Sequence, residues 1–195
     1  VAVTFLEETG APQAKQALSR ISNPYPRDKA LVILPNPKAD PEGVFNDYSK
    51  NITVLRLAGY NLVVKRVAEK EEFVKAVRSI AKEAQRWNLL LIGGHGNPKG
   101  ISLGKEAGLV ELFLDALNLP LKTQSTLKVR DSHLLMGLRP YLTNDALVIL
   151  DSCSVLKPKK ITYNFGEKVV ETLGVEVWGL TKGVGSELSL ANNNL

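Results

Sequence analysis

The chain has 195 residues, of which 44% are hydrophobic, enough for one globular domain with a sizeable core. Its single cysteine excludes an internal disulfide framework and any cysteine-based zinc cluster, and no apolar run approaches the roughly 18 residues that a membrane-spanning helix needs. The formal charge of +5 is spread along the chain with only 6% aromatics and no nucleic-acid motif, so a solvated cationic surface is expected and a nucleic-acid partner is not.

Taken in order, residues 1–5 read as a candidate edge strand, and Ala14, Ala17, Leu18 and Ile21 recur at helical spacing. Asn23-Pro24-Tyr25-Pro26 ends that helix, and residues 30–34 are the first continuous apolar run, a core strand closed by Pro35 and Pro37. A helix is predicted from Asp40, a good N-cap ahead of Pro41, with Val44, Phe45, Tyr48, Ile52 and Leu55 on one face and Gly59 at its end. Residues 61–67 read as the second strand. The clearest helix is predicted over 69–87, where Phe73, Val77, Ile80, Ala84 and Trp87 form a stripe behind an acidic first turn, which makes Trp87 a core residue rather than a cofactor platform. The β-α-β-α-β order implies a parallel sheet with right-handed crossovers.

Residues 89–92 form the next strand and lead into Gly93-Gly94-His95-Gly96. Neither a dinucleotide fingerprint nor a Gly-Lys-Ser/Thr follows, so these glycines are not a nucleotide loop. Asn97-Pro98-Lys99-Gly100 predicts the turn of a small hairpin completed by 101–103, a helix is expected over 106–118, and 120–130 reads as a loop or lid. A short helix over 131–138 carries His133, toward the opposite end of the sheet from His95 and the less favoured of the two as a catalytic base. Two histidines without matched carboxylate spacing form no recognisable metal set, and no cofactor is expected.

The run Ala146-Leu147-Val148-Ile149-Leu150 ends in Asp151-Ser152-Cys153-Ser154, a buried strand opening onto the only cysteine. Open parallel sheets put their chemistry beyond the carboxyl ends of such strands. Two apolar strands therefore deliver His95 and Cys153 to one rim, the pair a thiol peptidase needs: a thiolate nucleophile and an imidazole that protonates the leaving group. A helix over 163–173 ending at Gly174 and a fifth core strand over 175–180 follow. Residues 191–195 read as a frayed end. A sixth strand would come from residues 1–5, unless the chain is truncated.

An apolar strand with Gly-His-Gly, followed about sixty residues later by an apolar strand with Asp-Ser-Cys, resembles the caspase-like cysteine peptidases, the group of metacaspases, legumains and gingipains. The nearest local pattern is that of metacaspases, with Ser-Gly-His-Gly and Asp-x-Cys-His-Ser-Gly, against Gly93-Gly94-His95-Gly96 and Asp151-Ser152-Cys153 here. The resemblance implies a three-layer α/β fold, a mostly parallel central sheet with helices on both faces, in one domain over 1–195. It implies a cysteine endopeptidase in which Cys153 attacks, His95 protonates the leaving amine and the amides of Gly96 and Cys153 hold the oxyanion. Asp151 and the segment 181–186, with Thr181 and Lys182, would contact substrate, Asp151 favouring Arg or Lys at P1, the residue before the cut bond. Cleavage after Asp would point to Lys182 instead. The loop 155–161 offers Lys159 and Lys160 for self-cleavage of a zymogen. The alternative is a catalytically silent scaffold of the same fold acting by protein binding, since no histidine follows Cys153 as it does in metacaspases. The sequence begins without methionine and shows no signal peptide, so a processed product or a piece of a longer chain is expected, with cytoplasmic and exported locations both open.

Overall fold

The computed structural model describes residues 29–40, 43–45, 48–57, 59–80, 86–104, 125–153, 156, 164–180 and 188–191. Their strands are β1 (Lys29–Pro35), β2 (Asn61–Val67), β3 (Trp87–Gly93), β4 (His95–Asn97), β5 (Gly100–Ser102), β6 (Thr126–Lys128), β7 (Leu142–Asp151), β8 (Glu176–Leu180) and β9 (Leu188–Ala191). Their helices are α1 (Ser49–Leu57), α2 (Lys70–Ile80), α3 (His133–Met136) and α4 (Phe165–Leu173). The expected strand over 1–5, the helices over 12–21 and 106–118, and the segment 181–186 lie outside the described residues.

The main sheet has the order β2-β1-β3-β7-β8-β9, with the first five strands parallel and β9 antiparallel to β8. Residues 30–34 of β1, 89–92 of β3 and 146–150 of β7 are buried throughout, which is why each reads as an unbroken apolar run rather than an alternation. The odd members of β1, Leu31 and Ile33, share a core with Phe73, Ala76, Val77 and Ile80 of α2 and Phe165, Val169, Val170 and Leu173 of α4. The even ones, Ala30, Val32 and Leu34, share the other core with Leu55 of α1 and with Phe45 and Tyr48, which precede it. That division follows from crossover handedness. The chain moves from β1 to β2 in one direction across the sheet, and from β2 to β3 and β7 to β8 in the other, so crossovers of one hand must leave α1 on the opposite face from α2 and α4.

Local sequence sets the helix ends. α2 begins beside Glu72, whose carboxylate accepts the Ala68 N–H at 2.7 Å, and it buries Phe73 and Ile80 completely, each worth about 1.5–3 kcal/mol over exposure. α4 opens with a capping box: Asn164 accepts the Glu167 N–H and Glu167 accepts the Asn164 N–H, both at 2.8 Å. It closes at Gly174, whose φ of 60° suits a residue without Cβ.

Several expectations need correction. No continuous helix starts at Asp40: a 3-10 turn, Pro37–Ala39, capped by the Asn36 side chain on Lys38 N–H at 3.1 Å, precedes a loop, and α1 begins only at Ser49. Val44 therefore sits in a turn and is exposed rather than packed on a helical face. The helix after β2 ends at Ile80 among the described residues, and Trp87, fully buried as expected, opens β3 instead. Residues 126–128 are not a free loop; β6 pairs antiparallel with β5, making a three-stranded sheet β4-β5-β6 at the rim. The sixth strand of the main sheet comes from β9, and Ala191 belongs to it rather than to a frayed end.

Candidate functional site

Strand pairing carries His95 and Cys153 to the same place. Gly93 of β3 pairs with Asp151 of β7, and the Gly94 N–H donates to Asp151 O at 3.2 Å, so the next residue on each strand lies past the sheet edge at one level. β4 then turns Gly96 onto the end of β7. A methyl group at Gly96 would lie 1.8 Å from Ser152 Oγ and 2.8 Å from Cys153 O. The backbone that follows the histidine is thus packed directly on the residues that carry the thiol, an approach only glycine permits. Cys153 is a free, partly exposed thiol, and the His95 side chain is 30% exposed, so both open to the rim.

Strand geometry stops short of the cysteine. Ser152 N–H donates to Leu150 O at 2.9 Å, a three-residue turn centred on Asp151 that ends the strand geometry there. Ser152 is 3% exposed, and its Oγ has no hydrogen-bond partner. Asp151 faces the α1 side and is 7% exposed, with Tyr48 donating its hydroxyl to Oδ2 at 2.5 Å. Burial raises the Asp151 carboxyl above its ordinary value, a shift the Tyr48 hydrogen bond partly opposes. Tyr48 is itself held protonated: burial first, then the charge and hydrogen bond of Asp151, push its phenol well above the usual range, with Arg66 working in the other direction.

His95 is held from the other side. Its Nε2 lies 2.9 Å from Asp40 Oδ1, and the Phe45 ring meets the imidazole edge-on at 5.6 Å and 84°. The Asp40 side chain is wholly buried, and its second oxygen accepts the Phe45 N–H at 2.6 Å. Arg66 Nη1 fixes both ends of this loop, donating to Pro35 O at 2.9 Å and Phe45 O at 2.7 Å. Partial burial lowers the Arg66 guanidinium, while the charge of Asp40 opposes that shift.

The site falls where strand order dictates. The chain leaves β1 toward β2 on one side and returns to β3 on the other, so strand order reverses at the β1–β3 boundary, the usual place for ligands in open α/β sheets. Asp40 follows β1 and His95 follows β3. Asp40, Tyr48 and Arg66 were not singled out as site residues by sequence reasoning, which treated Asp40 as a helix cap and Tyr48 as a packing residue. A carboxylate soon after the first core strand was the available signal.

Of the residues proposed from sequence, His95, Gly96, Asp151 and Cys153 come together, while Thr181, Lys182, Lys159 and Lys160 lie outside the described residues. The exposed His133 ring places Nδ1 2.9 Å from Arg130 O, and the turn just before it is tied to the rim side, Val129 N–H donating to Lys99 O and Asp131 pairing with Lys70 at the start of α2, so the expected placement at the opposite end of the sheet is not supported. Among the described residues no three His, Cys, Asp or Glu side chains gather as metal ligands do, and no helix is long and apolar enough to cross a membrane. Comparison with protein-family models found no match, and neither did comparison with the curated proteins.

Proposed function

We propose that the chain is a cysteine endopeptidase of caspase-like, three-layer fold working through Cys153 and His95. The observation that carries the reading is the Gly96 backbone seated on Ser152 and the Cys153 carbonyl, which sets the histidine strand against the backbone of the cysteine at the carboxyl ends of two parallel strands. Cys153 Sγ, as the thiolate, attacks the scissile carbonyl carbon, and the C=O electron pair moves to oxygen. The Gly96 and Cys153 amides would hold that oxyanion; such donors are typically worth about 3 to 4 kcal/mol each. The C–N bond then breaks as the His95 imidazolium gives its proton to the leaving amine, leaving a thioester on Cys153. Water, deprotonated by His95, attacks the thioester, and the thiolate leaves. Asp151 is the proposed contact for Arg or Lys at P1, and Thr181 and Lys182 are the other proposed substrate contacts.

Reaction with iodoacetamide and with an acyloxymethyl-ketone probe tests the pair at neutral pH. Cys153 should react faster than free cysteine, and His95→Ala should lower peptide turnover by about 10²- to 10⁴-fold, the usual range for a lost acid–base group. A thiol no more reactive than free cysteine and indifferent to His95→Ala would leave the binding scaffold as the better account.

The segment 155–161 offers Lys159 and Lys160, the residue type an Asp151 contact selects, and the active enzyme is expected to cut itself there. Intact masses of wild type and Cys153→Ala, incubated side by side, should show fragments ending at Lys159 or Lys160 in the wild type alone. Unchanged chains in both would rule self-processing out under those conditions.

A further inference from the structure

We infer that Tyr48 sets the choice between lysine and arginine at P1: by holding Asp151 Oδ2 it leaves one carboxylate oxygen for the substrate, which suits the ammonium of Lys and denies the guanidinium of Arg a two-point grip. Tyr48 acts through Asp151, so its role rests on the reading of that carboxylate as the P1 contact, and it narrows the substrate class from basic residues to lysine. Asp151 keeps one oxygen engaged and one open. Tyr48 donates its hydroxyl to Oδ2 at 2.5 Å, and no other side chain among the described residues hydrogen-bonds this carboxylate. Asp151 is 7% exposed, and the buried side-chain polar atoms without a partner among the described residues are Trp87 Nε1 and Ser152 Oγ, so the small exposure that Asp151 keeps includes Oδ1.

Both partners are fixed. Tyr48 is buried, its ring stacks on Phe45 at 6.1 Å and 29°, and its carbonyl accepts the Ile52 N–H at 3.1 Å as α1 begins. Phe45 is itself anchored, its N–H on Asp40 Oδ2 and its carbonyl on Arg66 Nη1. The Asp151 main chain is pinned by the Gly94 N–H on its carbonyl and by the Ser152–Leu150 turn around it. Burial and the Asp151 charge keep the phenol protonated, so Oδ2 faces a donor throughout the neutral range. An arginine fork lays two parallel N–H bonds on the two oxygens of one carboxylate, whereas an ammonium is a point charge that one oxygen satisfies. With Oδ2 covered by the phenol, Arg would bind through Oδ1 alone and leave a second N–H desolvated beside Tyr48 without an acceptor, a cost that Lys escapes.

Two fluorogenic peptides that differ only in Lys or Arg at P1 read the effect as a ratio of kcat/KM, which a general loss of activity or fold does not move. Wild type should favour Lys by about tenfold, the scale of one hydrogen bond to a charged group made or lost. Tyr48→Phe keeps the ring and frees Oδ2, so the Lys-to-Arg ratio should fall by at least about threefold toward parity as the fork gains its second acceptor. A wild type that cuts the two peptides equally well, or a Tyr48→Phe protein with the wild-type ratio, would overturn the role of Tyr48 while leaving the peptidase reading intact. If Tyr48→Phe fails to fold, the wild-type ratio alone decides. A wild type whose thiol reacts with the probes but which cuts after neither residue would remove Asp151 as the P1 contact. One inert toward peptides and probes alike would remove the peptidase reading, and the role of Tyr48 falls with either.

Discussion

Gly96→Ala is expected to abolish peptide hydrolysis in a chain that still folds. The added methyl would sit 1.8 Å from Ser152 Oγ and 2.8 Å from Cys153 O, well inside van der Waals contact. Ser152 can answer by changing rotamer, but the Cys153 carbonyl belongs to the backbone and yields only if β4 and the end of β7 move apart. Forcing one extra carbon into such a contact typically costs about 1–3 kcal/mol, less than the roughly 5–15 kcal/mol that a domain has in reserve. The same displacement is far more damaging to chemistry, where about 1 Å of misplacement can cost a hundredfold in rate. Thermal melts and kcat/KM measured on one preparation should therefore show a lowered but cooperative transition alongside lost turnover. Ser152→Ala is the matched control: removing a buried hydroxyl that has no partner should leave the melting temperature equal or higher. Gly96→Ala with unchanged turnover would mean that the packing of β4 on β7 has no part in the site.

The parallel core was legible because burial on both faces erases alternation. Residues 30–34, 89–92 and 146–150 are continuous apolar runs for that reason, and each is a strand of the sheet. β2 was legible too, and the hairpin after His95 was signalled by Asn97-Pro98-Lys99-Gly100. What failed was the start of the helix after β1. Asp40 followed by Pro41 has the form of an N-cap, yet its carboxylate is committed to the Phe45 amide and to His95, a contact between positions 55 residues apart that no local pattern encodes. Tyr48 was misjudged similarly: it does pack in the core, as its spacing implied, but its hydroxyl reaches Asp151 across 103 positions. The turn at Asp151 was also illegible, because Asp-Ser-Cys after five apolar residues looks like a strand running on, whereas the Ser152–Leu150 hydrogen bond ends it. Pairing partners, unlike burial, depend on which strand ends the topology brings together, and the order β2-β1-β3-β7 puts Asp40, His95 and Asp151 at one end of the sheet.

Asp151→Asn should separate the stability of this site from its selectivity. Burial holds the Asp151 carboxyl above its ordinary value, so between those two values the folded chain keeps a proton that the unfolded chain has already released. Stability therefore falls as pH rises through that window, and ionised Asp151 is a net cost to the fold above it. Asn keeps an acceptor for the Tyr48 hydroxyl, which burial and the Asp151 charge hold in its protonated, donating form, and it cannot ionise. The variant should accordingly melt at the same or a higher temperature at neutral pH, and the difference from wild type should shrink as pH falls toward the ordinary carboxyl range. Catalysis should move the opposite way. An Arg or Lys head group at P1 brings the positive charge that makes a buried carboxylate favourable, and deleting one partner of such a desolvated pair usually costs about 2–5 kcal/mol. Cleavage after Arg and Lys should thus drop by about a hundredfold or more in kcat/KM, while alkylation of Cys153 proceeds at the wild-type rate. Urea melts across pH 4–8 and a fluorogenic P1 panel are the measurements. An Asp151→Asn protein that is less stable at neutral pH, or that still cuts after Arg and Lys at the wild-type rate, would show that this carboxylate serves Tyr48 and the fold rather than the substrate.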